Sequence, residues 1–350
     1  MRIVHWAGRS LFRLAVITGV ALAEAPWTAR AGPSTAPADD IAPLGPGDHL
    51  RRLTVDGRRR SYWVHVPPGY DPSNPTPVVI AFHGALMNGS MMPAFTGLSA
   101  KADAAGFVVV YPNGLGVGQT ALFFNAGAAP VGEGAGPADD VKFTAALLDD
   151  LARVVTVDRR RVFATGMSNG GMMAHRVAAE LADRIAAAAP VAGTLALPHL
   201  RPSRPVPMMI FHGTADDIVP YHGRPGGRQP ATMQFRSVPD TVQAWVDLDG
   251  CPAQGQTVAT PDRAGDGTTI TTTTYGPATG GTEVVLVRIN GGGHTWPGVR
   301  PPVAFIGVAT ANVSADDLMW AFFQRHPMPQ HDRDTARVTP RREHATQHHP

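Results

Sequence analysis

Short, nearly continuous apolar runs alternate along this chain with longer stretches in which apolar residues return at helical spacing. Runs of the first kind lie at Tyr62 to Val66, Val78 to Phe82, Phe107 to Tyr111 and Val162 to Thr165, and again at Ala187 to Val191, Met208 to Phe211, Thr269 to Tyr275 and Val284 to Ile289. They are too short for helices, and most carry β-branched or aromatic residues, so they are read as strands; the unbroken ones suit strands buried on both faces. Stretches of the second kind lie near Leu98 to Ala105, Val141 to Val154, Gly171 to Ala182, Thr241 to Asp247 and Ala315 to Gln324. These read as helices, the last one capped by Ser314 with Asp317 three residues on. Strand and helix in alternation predict an α/β fold: a mostly parallel central sheet with helices on both faces.

Composition bounds this picture without changing it. The chain has 350 residues, 43% of them hydrophobic, ample for one α/β domain with a sizeable core. The formal net charge is +2, and the basic residues are not gathered into a stripe with interleaved aromatics, which argues against a nucleic-acid partner. Arg51-Arg52 and Arg58-Arg59-Arg60 flank an N-terminal hairpin and read as a solvated turn. There are no internal repeats.

The two ends differ in character from the middle. Arg2, Arg9 and Arg13 precede an apolar run from Leu14 to Ala23, and Ala29-Arg30-Ala31 offers a small-x-small cleavage site. Residues 1–31 are therefore read as a cleavable export signal, and the protein is expected to be secreted or periplasmic. The apolar run is too short for a stable membrane anchor, no cysteine stands near it for lipid attachment, and the lack of an Arg-Arg pair favours the general secretory route. Residues 32–47, rich in Pro, Ala and Asp, read as a flexible lead-in, 48–326 as the folded catalytic domain, and 327–350, rich in Pro, Arg and His, as a disordered tail. His344, His348 and His349 of that tail read as solvated rather than as metal ligands, and no metal or other cofactor is expected.

Candidate chemistry centres on Gly166-Met167-Ser168-Asn169-Gly170, which fits the G-x-S-x-G nucleophile elbow between a predicted strand and a predicted helix. A serine at so tight a turn sits in strained backbone, so its neighbours must be small and its hydroxyl stands clear of the sheet. The helix behind it aims free N–H groups at the point where an oxyanion would form. Such a serine needs a base and an orienting acid, in the chain order Ser, Asp, His. The apolar run ending at Phe211 empties into His212-Gly213-Thr214-Ala215-Asp216-Asp217, at the carboxyl end of a strand, where the acid belongs. Asp216 is the choice and Asp217 the reserve, since adjacent side chains leaving a strand point opposite ways.

The strand at Val284 to Ile289 runs into Asn290-Gly291-Gly292-Gly293-His294-Thr295-Trp296. The glycines permit positive φ and a close backbone approach, which makes His294 the base. The oxyanion donors are the N–H of Asn169 and one from the turn after His83-Gly84: Ala85, or Leu86 if the turn is one residue longer. His83 itself reads as a structural hydrogen-bonding residue. Trp296 is the candidate substrate-contacting aromatic, with packing of the histidine loop as its other reading, and Phe123 and Phe124 are candidates for an opposite wall.

With these motifs in place, the chain resembles the secreted esterases grouped as polyhydroxybutyrate depolymerases, which are themselves similar to feruloyl and acetylxylan esterases. The resemblance is carried by Ala81-Phe82-His83-Gly84, Val109-Val110-Tyr111-Pro112-Asn113-Gly114, Asp139-Asp140-Val141, Val157 through Met173, Pro190-Val191-Ala192-Gly193, His212 through Tyr221, and Gly291 to Gly298. It runs from about Tyr62 to Phe323. It implies an α/β-hydrolase fold and a Ser168, Asp216, His294 triad. The implied activity is a serine esterase working through an acyl-enzyme on poly- or oligo-(3-hydroxybutyrate) esters, or alternatively on feruloyl or acetylxylan esters of plant cell walls. The expected partner is thus an ester substrate, with no nucleic acid and no stable membrane anchor.

Three departures from that family stand out. Cys251 is the one cysteine, so no intramolecular disulfide forms, and it reads as a small packed residue. Nothing in the chain corresponds to a separate polymer-binding domain. The segment from Gly114 to Pro137 is long and rich in glycine, so the pocket rim is expected to differ. A catalytically dead binding protein on the same scaffold is disfavoured, because all three triad residues are present.

Overall fold

Side chains that alternate between two apolar layers organise the sheet. The computed structural model describes residues 42–118, 120–127, 138–224, 235–301 and 303–329; the segment read as an export signal, most of the one read as a lead-in, and the chain beyond residue 329 fall outside them. In β3 (Thr76–Phe82) every residue is buried, with Val78, Ile80 and Phe82 in one layer and Val79 and Ala81 in the other. That is the period-two pattern of a strand covered on both sides.

Six strands run parallel: β4 (Val108–Pro112), β3, β7 (Val157–Met167), β8 (Ala187–Val191), β9 (Met208–Gly213) and β12 (Val284–Asn290), neighbours in that order. Antiparallel pairs extend both edges. β2 (Arg58–Val66) joins β4 and carries β1 (Gly47–Val55) outside it, while β11 (Thr269–Tyr275) joins β12 and carries β10 (Gln256–Thr260). A separate hairpin of β5 (Leu115–Val117) and β6 (Ala121–Phe123) stands beside the carboxyl end of β3.

Helices cover both faces, as the alternation predicts. A single turn, α1 (Met92–Phe95), leads into α2 (Leu98–Ala105), which packs on one face with α6 (Ala315–Arg325). The other face carries α3 (Asp140–Leu151), α4 (Asn169–Glu180) and α5 (Val238–Leu248). Aromatic stacking ties α6 down: Phe163 of β7 lies 4.5 Å from Phe323, and Phe107 lies 4.2 Å from Trp320. Ser314 caps α6 by accepting the Asp317 N–H.

Two expectations about the periphery change. The arginines of the first hairpin are not all solvated. Arg60 is buried on β2, paired with Asp140 at the start of α3 and lying 3.7 Å over the Phe143 ring, while Arg51 pairs with Asp150. Strand alternation turns Arg60 inward, and Asp140 is the anion that meets it there. The folded body also extends past residue 326: Met328 is buried and its N–H donates to the Arg160 carbonyl at 2.7 Å. Cys251 is half-buried, its thiol pushed up by burial and directed at the Thr282 carbonyl, as suits a packed residue.

Candidate active site

Ser168 stands between the end of β7 and the first residue of α4, at φ 59° and ψ −121°. For a residue with a Cβ this is strained backbone, which a fold keeps only where its surroundings impose it. The imposing contacts are backbone. A Cβ on Gly170 would overlap the Phe82 carbonyl and lie 2.6 Å from the His83 oxygen, and one on Gly166 would lie 2.5 Å from the Gly170 oxygen. Helix α4 thus begins hard against the end of β3, and only glycine at both flanks lets it do so.

The carboxyl edge of the sheet is stitched from strand to strand. Ser168 N–H donates to Val191 at 2.9 Å, Ala192 N–H to Phe211 at 2.9 Å, and Ala215 N–H to Gly292 at 2.9 Å. Ser168 and the histidine loop nevertheless leave strands three places apart, about 14 Å by ordinary strand spacing. The loop must double back over β9, and glycines make room for it. A Cβ on Gly213 would lie 2.5 Å from the Gly293 oxygen, one on Gly293 would lie 2.6 Å from the Gly307 Cα, and Gly291 takes φ 78°. His294 is then pinned by its own N–H, which donates to the Ile306 carbonyl at 2.7 Å.

Asp216, and not its exposed neighbour Asp217, meets this histidine. His294 Nδ1 donates to Asp216 Oδ2 at 2.7 Å, with the carboxylate side chain fully buried. The other oxygen, Oδ1, accepts the Ile218 and Val219 N–H groups at 2.9 and 2.8 Å. Burial opposes ionisation of Asp216, but the imidazoles of His294 and His212 outweigh it and hold the carboxyl well below the usual carboxylate range. With Nδ1 committed, Nε2 is the ring nitrogen of His294 that is open to a substrate or a hydroxyl. Among the described residues neither that nitrogen nor the Ser168 hydroxyl is engaged in a hydrogen bond.

The turn after β3 lies against the serine: a Cβ on Gly84 would sit 3.6 Å from Ser168 Cβ. Leu86, at φ 63°, gives its N–H to the Leu122 carbonyl at 3.0 Å, so of the two amides weighed for an oxyanion it is Ala85 that is unspent. The Asn169 N–H opens α4 and has no partner within the helix. The side chain of Asn169 does something the sequence did not reveal. It accepts the Phe124 N–H at 2.7 Å and donates to the Phe124 carbonyl at 3.0 Å, clamping the rim segment to the elbow. Phe124 is consequently buried against Phe82 and His83, and forms no open wall.

Trp296 is a correction. Its side chain is 2% exposed, lies in the α2–α6 layer, and donates from Nε1 to Asp316 Oδ1 at 3.0 Å. The loop turns it inward, so it anchors the histidine loop from beneath and does not face a substrate. His83 has the structural character expected of it. The Gly114 N–H donates to its Nε2 at 3.0 Å, so the proton sits on Nδ1 and goes to the Gly84 carbonyl at 2.7 Å; burial holds the ring down at about 4. His175 of α4 is likewise internal, accepting the Trp245 indole N–H, with burial holding it down at about 3. No group of side chains with metal-ligand geometry occurs among the described residues.

Comparison with known proteins agrees with this architecture. The dienelactone hydrolase family model matches residues 68–233, a span that holds Ser168 and Asp216 and stops short of His294. "Putative esterase NocK" of Nocardia uniformis subsp. tsuyamanensis is 34% identical over 281 residues, 76% of this chain and 80% of that one. Feruloyl esterase B of Piromyces equi is 30% identical over 67% of this chain, which spans 42% of that relative. Among solved structures, the acetyl xylan esterase from Aspergillus awamori superposes with a TM-score of 0.53 at 18% identity, over 79% of this chain and 99% of its own, a likeness of fold. With a strained serine elbow on a mostly parallel sheet and an esterase relative matched over most of both chains, the chain belongs to the esterases of α/β-hydrolase fold, and it resembles the dienelactone hydrolase family and proteins named feruloyl esterase and poly(3-hydroxyalkanoate) depolymerase.

Proposed function

We propose that this esterase is a serine enzyme in which Ser168 is the nucleophile, His294 the general base and Asp216 the residue that orients the base. The observation that carries this reading is the buried Asp216–His294 hydrogen bond at the same sheet edge as the strained serine. His294 Nε2 takes the hydroxyl proton as Ser168 Oγ attacks the ester carbonyl, and Asp216 stabilises the imidazolium that forms. The Asn169 and Ala85 N–H groups receive the oxyanion, each lowering the barrier by about 3 kcal/mol. His294 then protonates the departing alcohol, and water repeats the sequence on the acyl-enzyme.

For the substrate we favour poly- or oligo-(3-hydroxybutyrate)-type esters. The rim supports aliphatic chains: Val117 at the tip of the β5–β6 hairpin is 83% exposed, and Phe305 and Val308, beside the histidine loop, are 48% and 44% exposed. An open cleft of about 900 Å³ lies between Val299, Arg300, Pro301 and Val308, in the segment that follows His294, and none of the triad residues lines it. Feruloyl or acetylxylan ester cleavage is the second reading, supported by the names of the relatives that align over two thirds of the chain. The leader at residues 1–31 supports export; among the described residues no helix is long and apolar enough to cross a membrane.

The deciding experiment compares kcat/KM on a soluble 3-hydroxybutyrate trimer and on methyl ferulate, with Ser168→Ala as blank. Preference for the trimer is the expected result, and preference for the ferulate moves the enzyme to cell-wall esters with the triad intact. Ser168→Ala should lose activity by several powers of ten while staying folded. Equal hydrolysis by wild type and Ser168→Ala sinks the serine mechanism.

A further inference from the structure

A second imidazole lies beside the orienting carboxylate, and the mechanism above does not use it. His212 is the next-to-last residue of β9, just before the acid loop, and its side chain is fully buried. Its Nε2 lies 2.8 Å from the Val219 carbonyl. A carbonyl only accepts, so this nitrogen carries a proton. The same nitrogen is 3.4 Å from Asp216 Oδ2, the oxygen that receives His294 at 2.7 Å. Val219 closes the ring, since its N–H donates to Asp216 Oδ1 at 2.8 Å. His212 Nδ1, by contrast, is buried with no partner. An orphaned buried nitrogen is destabilising, and an apolar side chain would fill the site without that penalty.

The other groups around His212 come from three elements. Arg288 is its register partner on β12 and points to the same face of the sheet. Tyr221, which feels the Arg288 charge, lies edge-to-face with the His212 ring at 6.0 Å between centroids. His175 on α4 lies close enough for the two imidazoles to feel each other's charge. Asp216 is the only carboxylate among these neighbours, and His212 and His294 both act to keep it ionised.

We propose that His212 is a positioning residue for the Asp216–His294 pair. Its Nε2–H, which donates to the Val219 carbonyl and stands 3.4 Å from Asp216 Oδ2, holds the carboxylate by electrostatic contact and offsets part of its charge. It thereby sets how strongly His294 is drawn to hold a proton. This inference rests on the reading of Asp216 as the orienting acid. Without the donor, more negative charge remains on Oδ2, so the His294 imidazolium is better stabilised and the acid limb of the rate profile moves up. The carboxylate also gains freedom to turn, which costs turnover rather than binding.

The test measures kcat and KM for p-nitrophenyl butyrate from about pH 5 to about pH 9, with thermal melts, in wild type, His212→Leu and His212→Gln. His212→Leu should lower kcat roughly ten- to a hundredfold at nearly unchanged KM. Its acid limb should rise by roughly half a pH unit. His212→Gln, whose amide nitrogen reaches the same place, should restore both. A His212→Leu variant with wild-type kcat and an unmoved acid limb, losing only melting temperature, overturns the proposal and leaves a packing residue.

If His212→Leu does not fold, the low-field proton resonance of the His294–Asp216 hydrogen bond decides. It should shift in His212→Asn, whose shorter side chain falls short of Asp216, and return in His212→Gln; no shift in the Asn variant overturns the proposal. Asp216→Asn keeps the two readings apart. Full activity there refutes the orienting acid itself, whereas lost activity beside a silent His212→Leu refutes only the role of His212.

Discussion

Adding one methyl group at Gly170 tests how tightly the elbow is built. The Cβ of Gly170→Ala would overlap the Phe82 carbonyl oxygen and stand 2.6 Å from the His83 oxygen. Carbon–oxygen contacts ordinarily close no nearer than about 3.3 Å, so helix α4 must retreat by close to 1 Å. Neither obstacle can rotate away, because both are backbone at the point where β3 enters the oxyanion turn. The retreat carries the Asn169 N–H and the Ser168 hydroxyl with it. Misplacement on that scale costs about a hundredfold in rate, and overpacking at a buried site costs about 1–3 kcal/mol. The assay is kcat/KM on p-nitrophenyl butyrate with a thermal melt alongside. Gly69→Ala is the control, since its Cβ meets nothing within 4 Å. The expected outcome is a large loss of kcat with a melting point several degrees lower for Gly170→Ala, and no change for the control. Wild-type activity and melting temperature in Gly170→Ala would refute the account of why glycine is needed there.

Three further outcomes follow from the buried polar groups. Trp296→Phe removes the donor to Asp316, whose carboxyl burial has pushed up to about 6. It should cost about 1–3 kcal/mol, more at pH 8 than at pH 5 because the orphaned group is then ionised, with KM unchanged; a KM rise at constant stability would return Trp296 to the substrate wall. Arg60→Ala strands the Asp140 carboxylate in the core and should cost about 3–5 kcal/mol in urea melts, while Arg60→Met combined with Asp140→Leu should recover most of it. Asp249 is pushed up to about 7 by burial, with Oδ2 unpartnered. The folded state therefore holds a proton that the unfolded chain has already released, so stability falls as pH rises from about 4 to about 7 and is flat above, by a few kcal/mol at most. Asp249→Asn should flatten that slope in melts at several pH values, and an unchanged slope would assign it to another group.

Much of the sheet was legible because buried strands write their burial into composition. Val78 to Phe82, Ala187 to Val191 and Val284 to Ile289 are apolar throughout, and they are the parallel strands covered on both faces. β10 escaped because nothing in Gln256–Thr260 marks a strand: its residues are largely exposed, and its pairing depends on β11. Arg60 reads as solvated for the same reason in reverse. A charged residue in a hairpin signals solvent unless its partner is known, and Asp140 is 80 residues away. Trp296 was ambiguous because a loop carries no periodicity to say which way a side chain points; the fold turns it onto Asp316.

Local sterics and short-range burial patterns dictate the order of the elements, the elbow with its glycine flanks, and the chain order proposed for serine, acid and base, so these could be read along the chain. Which of two adjacent carboxylates faces His294, which backbone amide stays without a backbone partner beside Ser168, and that Asn169 clamps the rim through Phe124 depend instead on how distant segments come together. The tertiary structure also brings His212 against Asp216, through a loop that curls back on its own strand. These are orientations and distances between segments that leave the same sheet edge, and no one-dimensional pattern of apolar and polar residues encodes the angle at which a loop comes back.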